Sequence, residues 1–239
     1  MKLKILTSTL LLSLTAVSAH ATSLNLRHEF VDDKGNAQSQ HKDRLLVSHT
    51  FDNKIGFSAE VKWANPKGEG FDFGELHDAG HEVFVNYTYN VTDTFSLHPA
   101  YGMDSNPDGV THKLDLKGSQ KLSDVWDIAL RYRYGDANKK KNSGSDSHFH
   151  QLNLTSGYRV DQFKFGIDVE YKFEQSVSAG YKGDENYLNL ISLSSEYNGL
   201  ESGWVPFVEF AMVSADTNST DEGKDDFVPR YRVGVKYNF

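Results

Sequence analysis

The last eleven residues, Pro229-Arg-Tyr-Arg-Val-Gly-Val-Lys-Tyr-Asn-Phe239, alternate without a break. Tyr231, Val233, Val235, Tyr237 and Phe239 are apolar, whereas Arg230, Arg232, Gly234, Lys236 and Asn238 are polar or small. A period of two marks a strand whose two faces meet different surroundings. Strands of soluble sandwiches are ~5–6 residues long, about half this length. A tilted strand of ~9–11 residues crosses a bilayer, with aromatics at the headgroup level. The apolar face would then meet lipid and the basic face would line an interior.

The same alternation recurs along the chain, for example Ile55, Phe57, Ala59, Val61 and Trp63, or Phe163, Phe165, Ile167, Val169, Tyr171 and Phe173. Twelve such strands can be counted. In the tenth, Leu188, Leu190, Ile191 and Leu193 leave the register open by one residue, and a one-residue slip would exchange its faces. Connections alternate as well. Those after odd strands, 31–40, 64–80, 104–109, 135–147, 174–186 and 214–228, are long and polar; those after even strands, such as Asp52-Asn53-Lys54 and Arg159-Val160-Asp161, are short. A soluble sandwich has no reason to sort its hairpins in this way. Outer-membrane barrels do, with an even strand count, short periplasmic turns, long outer loops and hence both termini in the periplasm. Ten aromatics on the apolar parity (Tyr87, Tyr89, Tyr132, Tyr134, Tyr171, Phe173, Tyr197, Trp204, Tyr237 and Phe239) fall near strand ends, as two interfacial girdles would.

Lys2 and Lys4 precede an apolar run, Ile5 to Val17, followed by Ala19-His20-Ala21. That is the pattern of a secretory signal cleaved after Ala21, and the run is too short to be a membrane-spanning anchor. The expected organisation is therefore a signal peptide over 1–21 and one domain, an all-β, 12-stranded antiparallel transmembrane barrel, over 22–239. There is no cysteine, which excludes disulfides, thiolate metal sites and a cysteine nucleophile. The 25 Lys and Arg, less Lys2 and Lys4, stand against 33 Asp and Glu and leave a formal charge of −10. An acidic balance argues against a nucleic-acid partner.

With the apolar parity outside, the lumen receives fourteen basic residues: Arg27, Lys42, Arg44, Lys62, Lys113, Lys117, Arg131, Arg133, Arg159, Lys164, Lys172, Arg230, Arg232 and Lys236. It receives nine acidic ones: Glu29, Glu60, Glu82, Asp115, Asp127, Asp168, Glu170, Glu196 and Glu209. The wall is then +5, and the acidic excess belongs to loops and turns, notably Asp216, Asp221, Glu222, Asp225 and Asp226. A basic channel with low-dielectric walls concentrates anions. Arginine forks match planar carboxylates, and the pairs Arg131/Arg133 and Arg230/Arg232 would present forks ~7 Å apart, a spacing suited to a repeating anionic ligand. Pairing of lumen arginines with lumen carboxylates is the competing role.

Catalytic candidates are few. His77-Asp78-Ala-Gly-His81 and His148-Phe-His150 lie in or beside outer loops, where solvated histidine is the ordinary role and no third metal ligand is fixed. No Gly-x-Ser-x-Gly elbow, His-Glu-x-x-His helix or phosphate-binding glycine loop occurs. No catalytic residue, metal or cofactor is expected. An outer-rim His/Asp enzyme on a barrel is the alternative of a different class.

Six stretches, Leu26-Arg27-His28-Glu29, His41 to His49, Ser58-Ala-Glu-Val-Lys-Trp-Ala64, Ala129-Leu-Arg-Tyr-Arg-Tyr134, Trp204-Val-Pro-Phe-Val-Glu209 and Arg230 to Phe239, together resemble the oligogalacturonate-specific porin family, which includes sialic-acid channels. The resemblance implies a small monomeric barrel with basic tracks through a narrow pore, and a C-terminal Phe239 read by the barrel-insertion machinery. Taken with the parity, it makes Arg27, Lys42, Arg44, Lys62, Arg131, Arg133, Arg159, Lys164, Arg230, Arg232 and Lys236 the candidate channel-lining residues. The expected function is passive diffusion of acidic oligosaccharides across a Gram-negative outer membrane. Oligogalacturonate is the first choice of cargo, with alginate oligomers or sialic acid as alternatives. Aromatics would offer surface for stacking sugars.

Overall fold

Long alternating strands cannot bury a two-faced sheet against itself, and the chain resolves this by closing the sheet into a ring. The computed structural model describes residues 22–33, 39–141, 146–176, 184–214 and 227–239. The strands are β1 (Thr22–Val31), β2 (Gln40–Thr50), β3 (Ile55–Ala64), β4 (His77–Tyr87), β5 (Tyr89–Asn90), β6 (Phe95–Asn106) and β7 (Gly109–Lys121). They continue with β8 (Trp126–Lys139), β9 (Ser147–Val160), β10 (Phe163–Ser176), β11 (Asp184–Tyr197), β12 (Trp204–Ser214) and β13 (Phe227–Asn238). Both β4 and the two-residue β5 pair with β6, so they form one stave broken at Thr88. Every other neighbour in sequence is an antiparallel neighbour in the sheet, and β1 pairs with β13, from Ser23↔Asn238 to Val31↔Arg230. The result is a closed barrel of twelve staves with both described chain ends on the rim that carries the short turns. The signal peptide expected over 1–21 and the acidic residues Asp216, Asp221, Glu222, Asp225 and Asp226 lie outside the described residues.

Burial is inverted relative to a soluble protein. Leu154 and Val233 are 52 % exposed, whereas Glu29 is 5 % and Asn153 3 % exposed. Apolar side chains therefore point away from the ring and polar ones into it, the parity read from the sequence. The ten interfacial aromatics divide as two girdles require. Tyr87, Tyr89, Tyr197, Trp204, Tyr237 and Phe239 sit towards the turn rim, and Tyr132, Tyr134, Tyr171 and Phe173 towards the loop rim. Leu154→Arg, in the middle of the outer face, is expected to cost ~2–4 kcal/mol in lipid. Thr155→Arg, one residue away on the inner face, is expected to fold normally; equal yields of heat-shifted barrel on a gel for both variants would contradict this parity.

The tenth stave, β11, carries a bulge. Val169 faces Ile191, Glu170 faces Leu190 and Tyr171 faces Leu188, so Asn189 is the extra residue. Two residues opposite one shift the alternation, which is why Leu188 and Ile191, three apart, both point outward while Leu190 is buried inside. Two expected long loops are corrected. Region 104–109 is a tight hairpin, in which Asn106 Oδ1 accepts from the backbone N–H of Asp108 (2.9 Å) and Gly109 (3.1 Å). Much of 135–147 is strand, because β8 and β9 stay paired as far as Ala137↔Ser147. Polar sequence hid these strand ends: beyond the apolar band both faces meet water, so nothing enforces alternation. Residues 65–76 fold onto the outer wall, where the Phe71 ring packs edge-on against His28 at 5.1 Å. Asn65, fully buried, holds this loop through a bond from its Nδ2 to Asp72 O (2.6 Å).

Candidate functional site

Register places like charges side by side inside the ring. Arg27 on β1 is directly opposite Arg44 on β2, and Arg44 is opposite Lys62 on β3. On β7 and β8, Lys117 is directly opposite Arg131. Like charges at facing positions destabilise a sheet, so pairing alone would not select these rows. With β4 and β5 as one stave, β1 and β8 are six steps apart in either direction around twelve. Arg27 and Arg131 therefore stand on opposite sides of the lumen, each within its basic row.

Carboxylates on the same or nearby strands tie down some of these cations and leave others loose. Arg133 makes a two-pronged contact with Asp115, both distances 2.7 Å, the strongest geometry available to this pair. Arg232 bridges Glu29 (2.5 Å) and Glu209 (2.9 Å); Arg230 also binds Glu209 at 2.8 Å, and Lys236 binds Glu196 at 2.5 Å. Arg44 lies 3.1 Å from Glu60 and Lys62 lies 3.1 Å from Asp104. Contacts are looser at Arg27 (3.5 Å to Glu29), Arg131 (3.8 Å to Asp115) and Lys42 (4.0 Å to Glu29). Arg159 stands apart at the turn rim, half-exposed and 3.7 Å from Asp127. Among the described residues, Lys164 and Lys117 form no ion pair; Lys164 lines a cavity of about 270 Å³ with Asp168, Arg230 and Arg232.

Ten of the eleven candidates thus line the lumen and Arg159 lies at its mouth. The expected pairs of forks are not both free: Arg133, Arg230 and Arg232 are held by carboxylates, and only Arg131 in those pairs has slack. Asp104 and Glu174, expected in loops, share the lumen parity and pair with lysines there, so the wall is less positive than the parity count. Glu29 is the pivot of one side because it touches Arg27, Arg232 and Lys42. Glu29→Gln is expected to strengthen anion preference and to tighten block by an acidic trisaccharide about tenfold, the equivalent of about 1.4 kcal/mol. Unchanged reversal potential in a salt gradient would show that these cations do not meet the ion path.

Aromatics on the lumen parity do something the sequence did not reveal. Phe84, Phe149 and Phe207 are the cross-strand partners of Gly102, Gly135 and Gly234, and each ring lies over its glycine so closely that a Cβ there would collide with it. Cations cap the rings: Arg133 over Phe84 at 5.4 Å, Lys172 over Phe149 at 4.5 Å and Lys236 over Phe207 at 5.2 Å. Phe149 and Phe207 are more than nine-tenths buried. Phe149 and Phe207 therefore fill the wall beside glycines and present little surface to a sugar. The pairing could be found from sequence only by aligning inward aromatics with inward glycines once the register was known.

His81 Nδ1 is 3.9 Å from Asp78 Oδ1, with both side chains more than half exposed. No group of three His, Asp or Glu positioned for a metal occurs among the described residues. His150 faces outward and meets the Tyr132 hydroxyl at 2.6 Å. Sequence reading missed a closer pair, His28 Nδ1 and Asp43 Oδ1 at 2.9 Å, with His41 at 3.2 Å. It lies on the outer wall beneath Phe71, away from the lumen.

A family model described as the oligogalacturonate-specific porin protein matches residues 15–239. The chain belongs to that family. It is 33 % identical over 247 residues to the oligogalacturonate-specific porin KdgM of Dickeya dadantii strain 3937, covering all of both chains. Among solved structures it is similar to a KdgM porin, with 29 % identity, TM-score 0.65, and 91 % of this chain and 99 % of that one covered. The same porin solved with disordered oligogalacturonate matches at 28 % identity and TM-score 0.61, over 91 % and 99 %. The NanC porin shares the fold, with TM-score 0.70 at 18 % identity over 90 % and 100 %. Family and barrel together make this chain an outer-membrane porin.

Proposed function

We propose that the chain is a monomeric, anion-selective pore that lets acidic oligosaccharides diffuse passively across the outer membrane, oligogalacturonates first among them. The observation that carries this reading is the pair of opposed basic rows, Arg27-Arg44-Lys62 and Lys117-Arg131. A uronate carboxylate entering between them exchanges hydration for guanidinium and ammonium donors. Loosely held Arg27, Lys42 and Arg131 swing to it first, and the tightly paired arginines give up part of their bond to Glu29, Glu209 or Asp115. Because each cation returns to a resident carboxylate, binding stays weak and release is fast, which conduction requires. The KdgM relative solved with oligogalacturonate supports that cargo. The short-turn rim, with both termini, faces the periplasm; residues 1–21 are the export signal, cleaved after Ala21, and Phe239 ends the strand that the insertion machinery reads.

Planar-bilayer recording tests this. The expected results are a reversal potential of anionic sign in a potassium chloride gradient and current block by trigalacturonate, with neutral maltotriose ineffective. Cation selectivity would overturn the proposal; block by alginate trimers or sialic acid at far lower concentration than by trigalacturonate would transfer the cargo to those acids.

A further inference from the structure

One cross-strand row breaks the pairing rule of the lumen. In β7 to β11 the facing residues run Lys117, Arg131, Asn153, Glu170 and Leu190, with Asn189 bulged beside the last. Asn153 stands between a cation and a carboxylate, and it is 3 % exposed. Its Oδ1 accepts from Arg131 Nη2 (2.7 Å) and from Gln151 Nε2 (2.7 Å). Its Nδ2 donates to Glu170 Oε2 (2.8 Å) and Asp168 Oδ1 (3.2 Å). Two bonds accepted and two donated use all the capacity of a side-chain amide. Asn153 is therefore fixed in orientation, oxygen towards the arginine and nitrogen towards the acids.

The consequence is a wider separation of charge than at the tightly paired arginines, matched only loosely by Arg27 (3.5 Å) and by Arg159 at the mouth (3.7 Å). Arg44, Arg133, Arg230 and Arg232 approach carboxylates to between 2.5 and 3.1 Å. Arg131 comes no closer than 3.8 Å to any carboxylate, and among the described residues neither Asp168 nor Glu170 has a cation within 4 Å. Both acids are satisfied by amides instead, Glu170 also by Asn189. An amide can hold an anion and a cation at once without cancelling either.

We infer that Asn153 is a spacer that determines specificity: it keeps the Arg131 guanidinium available to a cargo carboxylate while Asp168 and Glu170 stay unneutralised on the adjacent wall. Resting on the reading of the pore as a uronate channel, this gives the cargo an orientation. Carboxylates turn to Arg131, and sugar hydroxyls, which can donate, turn to the strip formed by Asp168 and Glu170. Without the spacer, Arg131 would close onto Glu170 and both would be lost to the cargo. Asn153 acts through Arg131 and is a positioning residue.

A double-mutant cycle in planar bilayers distinguishes this from a merely structural role. Asn153→Ala is recorded in the native background and in one carrying Asp168→Asn with Glu170→Gln, where no acid remains to capture Arg131. In the native background, Asn153→Ala is expected to raise the half-blocking concentration of trigalacturonate about tenfold and to lower the chloride-to-potassium permeability ratio. In the neutralised background it is expected to change neither by more than twofold. The same loss in both backgrounds, or no loss in the native one, would overturn the spacer. Asn153→Ser, a smaller change, carries the same two expectations should the alanine variant fail to show a heat-shifted band. The permeability ratio involves no sugar, so it tests Arg131 availability even if trigalacturonate does not block the native pore.

Discussion

Replacing Arg27 and Arg131 with glutamate is expected to convert an anion-preferring pore into a cation-preferring one and to abolish block by trigalacturonate. The two positions lie on opposite walls, six staves apart, and both are loosely paired, at 3.5 and 3.8 Å from their carboxylates. Neither side chain is held closely by a carboxylate that would absorb the change, Arg131 being bonded instead to the neutral amide of Asn153 at 2.7 Å, and each reversal alters the wall by two charges. A charge-assisted hydrogen bond to a carboxylate contributes ~1.5–3 kcal/mol. Losing one on each side, and adding repulsion, should raise the half-blocking concentration by at least about a hundredfold. The effect should shrink as salt rises, because the lumen is open to water and a Debye length is ~8 Å at physiological ionic strength. Reversing Arg133 instead should do less to selectivity, since its charge is already matched by Asp115. If the Arg133 variant were the stronger of the two, the division into loose and held cations would be wrong.

Gly135→Val is expected to destabilise the barrel by about 3 kcal/mol. Gly135 is the floor under Phe149: a Cβ there would come within 2.2 Å of the ring, and moving the ring away would disturb its contact with Lys172 at 4.5 Å. Displacing the ring loses the burial of an aromatic and leaves a hole in the wall between β8 and β9. Urea unfolding in lipid vesicles measures the loss. Gly70→Val is the control, since an added Cβ there meets nothing within 4 Å and should leave the midpoint unchanged. A Gly135→Val barrel as resistant as the native one would mean that the Phe149 ring does not rest on that glycine.

Much of the fold was readable because the bilayer simplifies the problem. Lipid rewards an apolar outer face and water rewards a polar inner one, so Val233 and Arg232 announce their sides by chemistry alone. The places where reading failed are those where that rule lapses. The ends of β8 and β9 carry polar residues on both faces, and the bulge at Asn189 breaks the period that reading relies on. The inward-facing basic residues were legible as an inventory and not in their pairing. All eleven candidates were visible as basic residues on the inner parity, but whether Arg133 or Arg131 is tied to Asp115 depends on cross-strand register and rotamer, which sequence spacing does not contain. Asp104 was overlooked because it lies just past the last apolar position of its strand, Met103. The inward phenylalanines Phe84, Phe149 and Phe207 fall on the polar parity, and their reason for being there is a glycine on another strand.

The sequence by itself determined the barrel class, the assignment of lipid-facing and lumen-facing residues and the basic character of the interior, because each depends on a local period of two and on the solvent each face must meet. Tertiary structure decided which basic residues oppose one another across the lumen, which are neutralised, and where an asparagine separates charge from charge. Those depend on how twelve staves align around a closed ring, where residues as far apart as Glu29 and Arg232 become neighbours at 2.5 Å.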